Sequence, residues 1–264
     1  MKYCRFQSQS GPQYGEVSDR NSALWIERLL PPPEEDPWTK LADNATFSPL
    51  PFDQATLLPP VVPSKIVCIG RNYREHAAEL GNEVPKEPLL FLKTPSSLIA
   101  HKQAIHKPAI SQRVDFEGEL AIVIGKRCTR IGPEEDVRQY IRGYTIVNDV
   151  TARDLQKSDG QWSRAKGFDT FCPAGPIVTD EIDPETGIQV ETRLNGELRQ
   201  NGNTRDLIFP IAVLLRHITA AITLYPGDLI PTGTPSGVAP MQPGDTVEVT
   251  IEGIGTLSNP VIVG

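Results

Sequence analysis

The chain has 264 residues, enough for one large domain, or one domain with a small appendage, around a substantial core. Its formal net charge is −7 and no basic run stands out, which argues against nucleic acid as a partner. No apolar stretch approaches bilayer-spanning length and the first residues lack the apolar core of a signal peptide, so no membrane association and a cytoplasmic location are expected.

Residues 1–60 read as a small N-terminal subdomain. Residues 3–6, 16–17 and 23–26 offer short strands for a small sheet, and proline clusters at 31–33 and 59–60 then hold the backbone extended or turned. The main body, 61–264, opens with an apolar strand at 65–70 that ends in glycine. Residues 74–80 have helical character with Gly81 as a C-cap; 82–88 is a polar, proline-bearing loop, and 88–92 is the next strand. Residues 120–124 and 144–147 read as two more buried strands. Residues 188–194, followed by Asn195-Gly196, begin a hairpin. One helix is clear: Pro210 suits its first turn, and Ile211, Leu214, Leu215, Ile218 and Ile222 share a face. Strands at 228–231 and 246–252 follow. Short strands outnumber helices, which predicts a mixed α+β, mainly β fold rather than alternating βαβ units. Cys4, Cys68, Cys128 and Cys172 stand singly, without the clustering of a zinc site, and read as reduced packing thiols.

Five segments concentrate polar chemistry. In residues 115–124 (DFEGELAIVI) a strand places Glu117 and Glu119 on one side. Adjacent carboxylates repel, and a hard divalent cation is the simplest partner for them; the plainer reading is a solvated strand face. On a helix at 74–80, His76 and Glu79 share a face, and a carboxylate beside an imidazole orients and strengthens a general base; an ordinary surface pair is the alternative. In residues 147–156 (VNDVTARDLQ) an apolar strand runs into Asp149, a candidate third oxygen ligand or simply an N-cap, with Arg153 and Gln156 in reach of an anion. Lys166, among small and aromatic residues, is either a surface lysine or a group that stabilises a developing enolate. Thr232, Gly233 and Thr234 form either a surface turn or a backbone cradle for a carboxylate.

Taken together and in order, these segments resemble the fumarylacetoacetate hydrolase superfamily: GRNYREHAAEL (70–80), LLFLKTPSSL (89–98), DFEGELAIVIG (115–125), VNDVTARDLQ (147–156), AKGFDTFCPAGP (165–176) and TGTPSGV (232–238). The resemblance covers roughly residues 60 to 264. It implies a mixed β-sandwich roll, a homodimer, and a Mg²⁺ or Mn²⁺ site at Glu117, Glu119 and Asp149, with Ca²⁺ as a further candidate. It implies a catalytic His76–Glu79 dyad on a segment that orders as a lid, Lys166 as the active-site lysine, and substrate contacts from Arg153, Gln156 and the TGTP segment; Arg71 and Tyr73 are further candidates. One departure is Gly167, where many relatives carry serine. The implied reaction is cleavage of a C–C bond in a small anionic 2-oxoacid through a metal-stabilised pyruvate enolate: an acylpyruvate-type hydrolase with oxaloacetate decarboxylation as a second activity. The alternatives are an isomerase or tautomerase of an unsaturated 2-hydroxy diacid, a hydrolase of 2-keto-3-deoxy sugar acid derivatives, and, from another class, a non-catalytic metal-binding scaffold.

Overall fold

The computed structural model describes residues 1–79, 81 and 83–264. Its organising element is Gly118–Ile124, which pairs antiparallel with Ile141–Asn148 on one side and Leu229–Pro231 on the other. From there a twelve-stranded sheet runs one way through Cys172–Thr179, Lys2–Ser8, Gly11–Arg20 and Ala23–Leu30 to Leu50–Pro51. It runs the other way through Ile66–Gly70 to the edge strand Leu89–Lys93. A five-stranded sheet holds Glu197–Asn203, Gln189–Leu194, Thr246–Ile251, Gly255–Val263 and Ile105–Lys107 in that order. A three-stranded one joins Thr151–Ala152, Val114–Asp115 and Pro240–Met241. The molecule is thus mainly β with a few short helices, as the strand count in the sequence predicts.

The apolar run after Glu119 has a direct cause. Successive side chains on a strand point to opposite faces. Leu120, Ile122 and Ile124 enter one core with Val190, Val249, Ile251 and the helix residues Leu214, Leu215 and Ile218. Ala121 and Val123 enter a second core with Ile66, Cys68, Val147 and Cys172. A strand covered on both faces cannot alternate apolar with polar residues. The helix Ile211–Ala221 follows Pro210 directly and buries Ile211, Leu214, Leu215 and Ile218; Ile222 lies just past its end and is half-buried. The Asn195-Gly196 turn joins Gln189–Leu194 to Glu197–Asn203, with both turn residues at positive φ, 53° and 82°.

Most boundaries fall within two residues of those read from the sequence. The predicted helix at 74–80 is Arg74–Glu79, and Leu80 lies outside the described residues, as does Asn82 of the predicted loop. The N-terminal strands form a meander, and in place of a small sheet of their own they continue the large sheet through pairing of Lys2 with Thr179 and Tyr3 with Val178. All four cysteines are free and buried. Among the described residues no helix is long and apolar enough to cross a membrane.

Candidate active site

The register of the central pair builds the site. Gly118 sits opposite Asn148, so the start of one strand meets the end of the next. Asn148 Oδ1 accepts the Glu117 N–H at 2.9 Å, and the Asp149 N–H donates to the Glu117 carbonyl at 2.8 Å. Glu117, Glu119 and Asp149, all buried, thereby bring one carboxylate oxygen each to within 4.8 Å of one another. The glycine between the two glutamates is required by packing. A Cβ at Gly118 would lie 2.2 Å from Thr192 Oγ1 and 2.8 Å from Val249 Cγ1 on the second sheet. That face is closed, and Glu117 and Glu119 occupy the cavity wall on the other.

Three buried cations answer these carboxylates. Lys166 Nζ donates to Glu117 Oε2 at 2.7 Å and to Asp149 Oδ2 at 2.5 Å. Lys93 Nζ donates to Asp149 Oδ1 at 2.6 Å and to the Val150 carbonyl at 3.1 Å. Arg153 spans Glu117 Oε1 at 2.6 Å, Asp115 Oδ2 at 3.0 Å and Gln156 Oε1 at 2.9 Å. Asp115 also takes both prongs of Arg113 from the surface, at 2.9 and 3.0 Å.

Four buried carboxylates, Asp115, Glu117, Glu119 and Asp149, share the site with these three buried cations and Arg113, all of which pair with Asp115, Glu117 or Asp149. Glu119 has no ion pair among the described residues and accepts one hydrogen bond, from the Gly233 N–H at 2.8 Å. Burial, then the neighbouring Asp149 and Glu117, push the Glu119 carboxyl well above its ordinary range. Burial pushes Glu117 the same way, but Lys166 and Arg153 overcome it and hold that group well below the usual carboxylate range. Burial acts to lower the Lys166 ammonium, while Asp149 and Glu117 together carry it upward. An all-oxygen donor set in which Glu119 has no cationic partner among the described residues fits a hard divalent cation held by Glu117, Glu119 and Asp149. Each carboxylate oxygen keeps a second lone pair for it beside its protein partner.

Glu117 and Glu119 open into a cavity of about 50 Å³ whose wall also includes Arg71, His76, Phe91, Trp162 and Thr234. His76 is buried, and burial pushes its imidazole below the ordinary histidine range. Its Nδ1 has no hydrogen-bond partner among the described residues; Glu79 Oε2 lies 3.5 Å away, too far and too poorly aligned. Both Glu79 oxygens instead accept the Gly237 N–H, at 3.1 and 3.2 Å. The expected dyad is brought together without its hydrogen bond.

Of the expected substrate contacts, Arg71, Arg153, Gln156 and Thr234 line this cavity. Tyr73 is buried and borders a separate pocket with Asp206 and Pro235. Thr232 Oγ1 donates to the Leu120 carbonyl at 2.8 Å, and Thr234 Oγ1 donates to the Gly118 carbonyl at 2.9 Å. At the predicted carboxylate cradle the Gly233 N–H donates to the protein's own Glu119. Residues with no role read from the sequence complete the site. They include Lys93, Asp115 and Gln200, whose amide accepts the Gly118 N–H at 3.0 Å and donates to Thr234 Oγ1 at 2.7 Å. Phe91 and Trp162 form a T-shaped pair, centroids 5.2 Å apart, and Lys166 Nζ lies 4.8 Å from the Phe91 centroid.

Comparison with known proteins places this geometry. A family model described as fumarylacetoacetate (FAA) hydrolase C-terminal matches residues 65–262. An uncharacterized protein of Methanocaldococcus jannaschii is 53% identical over 199 residues, 75% of this chain and 83% of its own. The oxaloacetate tautomerase YisK of Bacillus subtilis is 47% identical over 213 residues, 75% of this chain and 70% of its own. Among solved structures, a 2-hydroxyhepta-2,4-diene-1,7-dioate isomerase from Mycobacterium marinum superposes with a TM-score of 0.86 at 41% identity, covering 100% of this chain and 98% of that one.

Proposed function

The chain belongs to the fumarylacetoacetate hydrolase family, and on that premise we propose that it is an enzyme that moves a proton at the carbon beside the keto group of a small 2-oxo diacid. The reaction is a keto–enol or double-bond isomerisation of the oxaloacetate type, at a Mg²⁺ or Mn²⁺ site. The observation that carries this reading is His76: a buried imidazole, pushed by burial below the ordinary histidine range, on the wall of the cavity that Glu117 and Glu119 of the carboxylate triad also line. The names of the tautomerase and isomerase relatives move proton transfer ahead of the C–C cleavage that the motifs alone put first.

Glu117, Glu119 and Asp149 would hold the cation, which when bound would supply Lewis acidity. The chain's own groups do the rest. Arg153 and Gln156, locked to each other, orient the substrate carboxylate. Lys166 offers positive charge where the oxygen becomes negative. His76 takes the carbon-bound proton and returns it elsewhere; as the imidazole charges, Glu79, now 3.5 Å from Nδ1, becomes its counter-ion. Phe91 and Trp162 shield the cavity from bulk water. A second reading, hydrolysis of an acylpyruvate, is supported by the wider space of about 480 Å³ beside the cavity, which Glu79 lines and which has room for water.

The test runs oxaloacetate keto–enol conversion, oxaloacetate decarboxylation and acetylpyruvate cleavage side by side, each with Mg²⁺ and with EDTA. EDTA-sensitive keto–enol conversion is expected to dominate, with His76→Ala slowing it by about 10²–10⁴ while Mg²⁺ binding persists. Dominant acetylpyruvate cleavage would establish the hydrolase instead, and silence on all three would end the enzymatic reading.

A further inference from the structure

We propose that Gln200 is a positioning residue: it fixes the spacing of Glu117 and Glu119 and so makes the carboxylate site select Mg²⁺ over the larger Ca²⁺. This rests on the cation-site reading of the triad and deepens it. Gly118 alone separates the two glutamates, and close packing against Thr192 and Val249 forbids a side chain there. Glycine is the residue whose backbone turns most freely, so the site carries its softest joint between two of its three carboxylates.

On one side the sheet leaves that joint without a strand to hold it. Ala121 lies opposite Pro231, and the ladder runs one step further, where the Thr232 N–H donates to the Leu120 carbonyl at 3.0 Å. At Gly233 the chain turns away with a φ of 106°. Side chains take over from there. Gln200, fully buried on the five-stranded sheet, accepts the Gly118 N–H at 3.0 Å, and its amide donates to Thr234 Oγ1 and to the Pro235 carbonyl, both at 2.7 Å. Thr234 Oγ1 donates onward to the Gly118 carbonyl at 2.9 Å, which closes the circuit on one residue. The Gly118 N–H belongs to the peptide shared with Glu117 and the Gly118 carbonyl to the peptide shared with Glu119, so both planes between the two carboxylates are pinned. Gln200 is itself immobilised. It pairs with Thr192 in its hairpin, and a Cβ at Gly202 or Gly237 would lie 2.4 Å from Pro235 Cβ or 1.9 Å from the Arg199 carbonyl oxygen, so hairpin and loop are in close contact. Mg²⁺ demands near-ideal octahedral geometry at about 2.0–2.1 Å, whereas Ca²⁺ accepts irregular shells at about 2.3–2.6 Å. A pinned pair of carboxylates serves the first, and a loose pair serves the second.

Calorimetric titration of the metal-free protein with Mg²⁺ and with Ca²⁺ tests this, because the ratio of the two affinities is read without turnover. Gln200→Met nearly keeps the side-chain volume and removes the side-chain hydrogen bonds to Gly118, Thr234 and Pro235. Its Mg²⁺ affinity is expected to fall about tenfold and its Ca²⁺ affinity by less than about threefold. Thr234→Val opens the same circuit from the loop side; it should shift the ratio in the same direction, and it decides the matter if Gln200→Met does not fold. Val190→Ala controls for packing. It thins the core beneath the same hairpin without touching the circuit, and should leave the ratio at the wild-type value. A ratio unchanged in the circuit variants, or moved as far by Val190→Ala, overturns the role of Gln200, while cation binding by the wild type leaves the triad reading standing. A wild-type protein that binds neither cation overturns the triad reading and this role with it.

Discussion

Lys93→Met removes the least visible cation of the site and separates structure from catalysis. Lys93 is fully buried at the end of the edge strand Leu89–Lys93, and its ammonium serves Asp149 Oδ1 at 2.6 Å and the Val150 carbonyl at 3.1 Å. Methionine fills nearly the same volume without charge. Breaking a buried pair by deleting one partner costs about 3–5 kcal/mol, because the other charge is left behind. Here Lys166 still contacts Asp149 at 2.5 Å, which favours the lower end of that range. A loss of about 3 kcal/mol lowers Tm by roughly 6–12 °C in a chain of this size. The metal response goes the other way. With one cation fewer, the carboxylates attract a divalent ion more strongly, and binding to the folded state alone stabilises it by mass action. Urea unfolding in EDTA and in Mg²⁺ reads both effects: a lower midpoint for the variant in EDTA, and a gap to wild type that narrows in Mg²⁺. Equal midpoints in EDTA would refute the pairing energy assigned to Lys93, and a gap that widens in Mg²⁺ would refute the electrostatic account of the site.

Glu119→Gln should abolish cation binding, read by calorimetry, and remove a pH dependence of the metal-free protein. The unfolded Glu119 titrates near 4.5 whereas burial and like charges raise the folded group well above that, so the fold binds more protons and wild type loses stability as pH rises above 4.5. A variant whose urea midpoint falls over that range as steeply as wild type would contradict this. Gly118→Ala forces a Cβ to 2.2 Å from Thr192 Oγ1 and should cost stability by overpacking, about 1–3 kcal/mol in urea unfolding. His101 supplies an acid-side test away from the site. Its Nδ1 accepts the Ser258 N–H at 3.0 Å, and burial, helped by Lys102, holds its pKa at about 4. Below its unfolded value near 6.5 only the unfolded chain takes the proton, so stability drains as pH falls from 6.5 toward 4. His101→Asn keeps an acceptor, removes the titration, and should flatten that part of the stability curve.

Local pattern carried the parts of this fold that local physics decides. Ile66–Gly70 and Gly118–Ile124 are legible because strands buried on both faces must be apolar throughout. Cys172–Thr179 was not, since Cys-Pro-Ala-Gly-Pro reads as a chain breaker, yet the segment is buried between Ile141–Asn148 and Lys2–Ser8. Gly255–Val263, the last strand, hid behind glycine and proline in the same way. In the site, the carboxylates stood out as a local pair, whereas Lys93 finds its partner 56 residues along the chain. Nothing in Leu-Leu-Phe-Leu-Lys distinguishes a buried ammonium from a surface lysine closing a strand. Gly233 shows the converse: a backbone turn was legible, but which carboxylate its N–H meets depends on a contact spanning 114 residues.

That dependence on partners explains why the motifs are spaced as they are. Gly118 opposite Asn148 and Leu120 opposite Ile146 put Asp149 across from Glu117, one residue beyond the Gly118–Asn148 pair. A strand advances about 3.4 Å per residue, so a two-residue slip between these strands would carry Asp149 about 7 Å along the sheet and out of the triad. A one-residue slip would turn its neighbours to the wrong core. The packing that blocks both slips is apolar: Leu120, Ile122 and Ile146 against one layer, Ala121, Val123 and Val147 against the other. The charged site is therefore held in register by residues with no chemistry of their own. A core substitution such as Ile146→Ala should weaken cation binding together with stability, while a surface substitution of equal size should change neither.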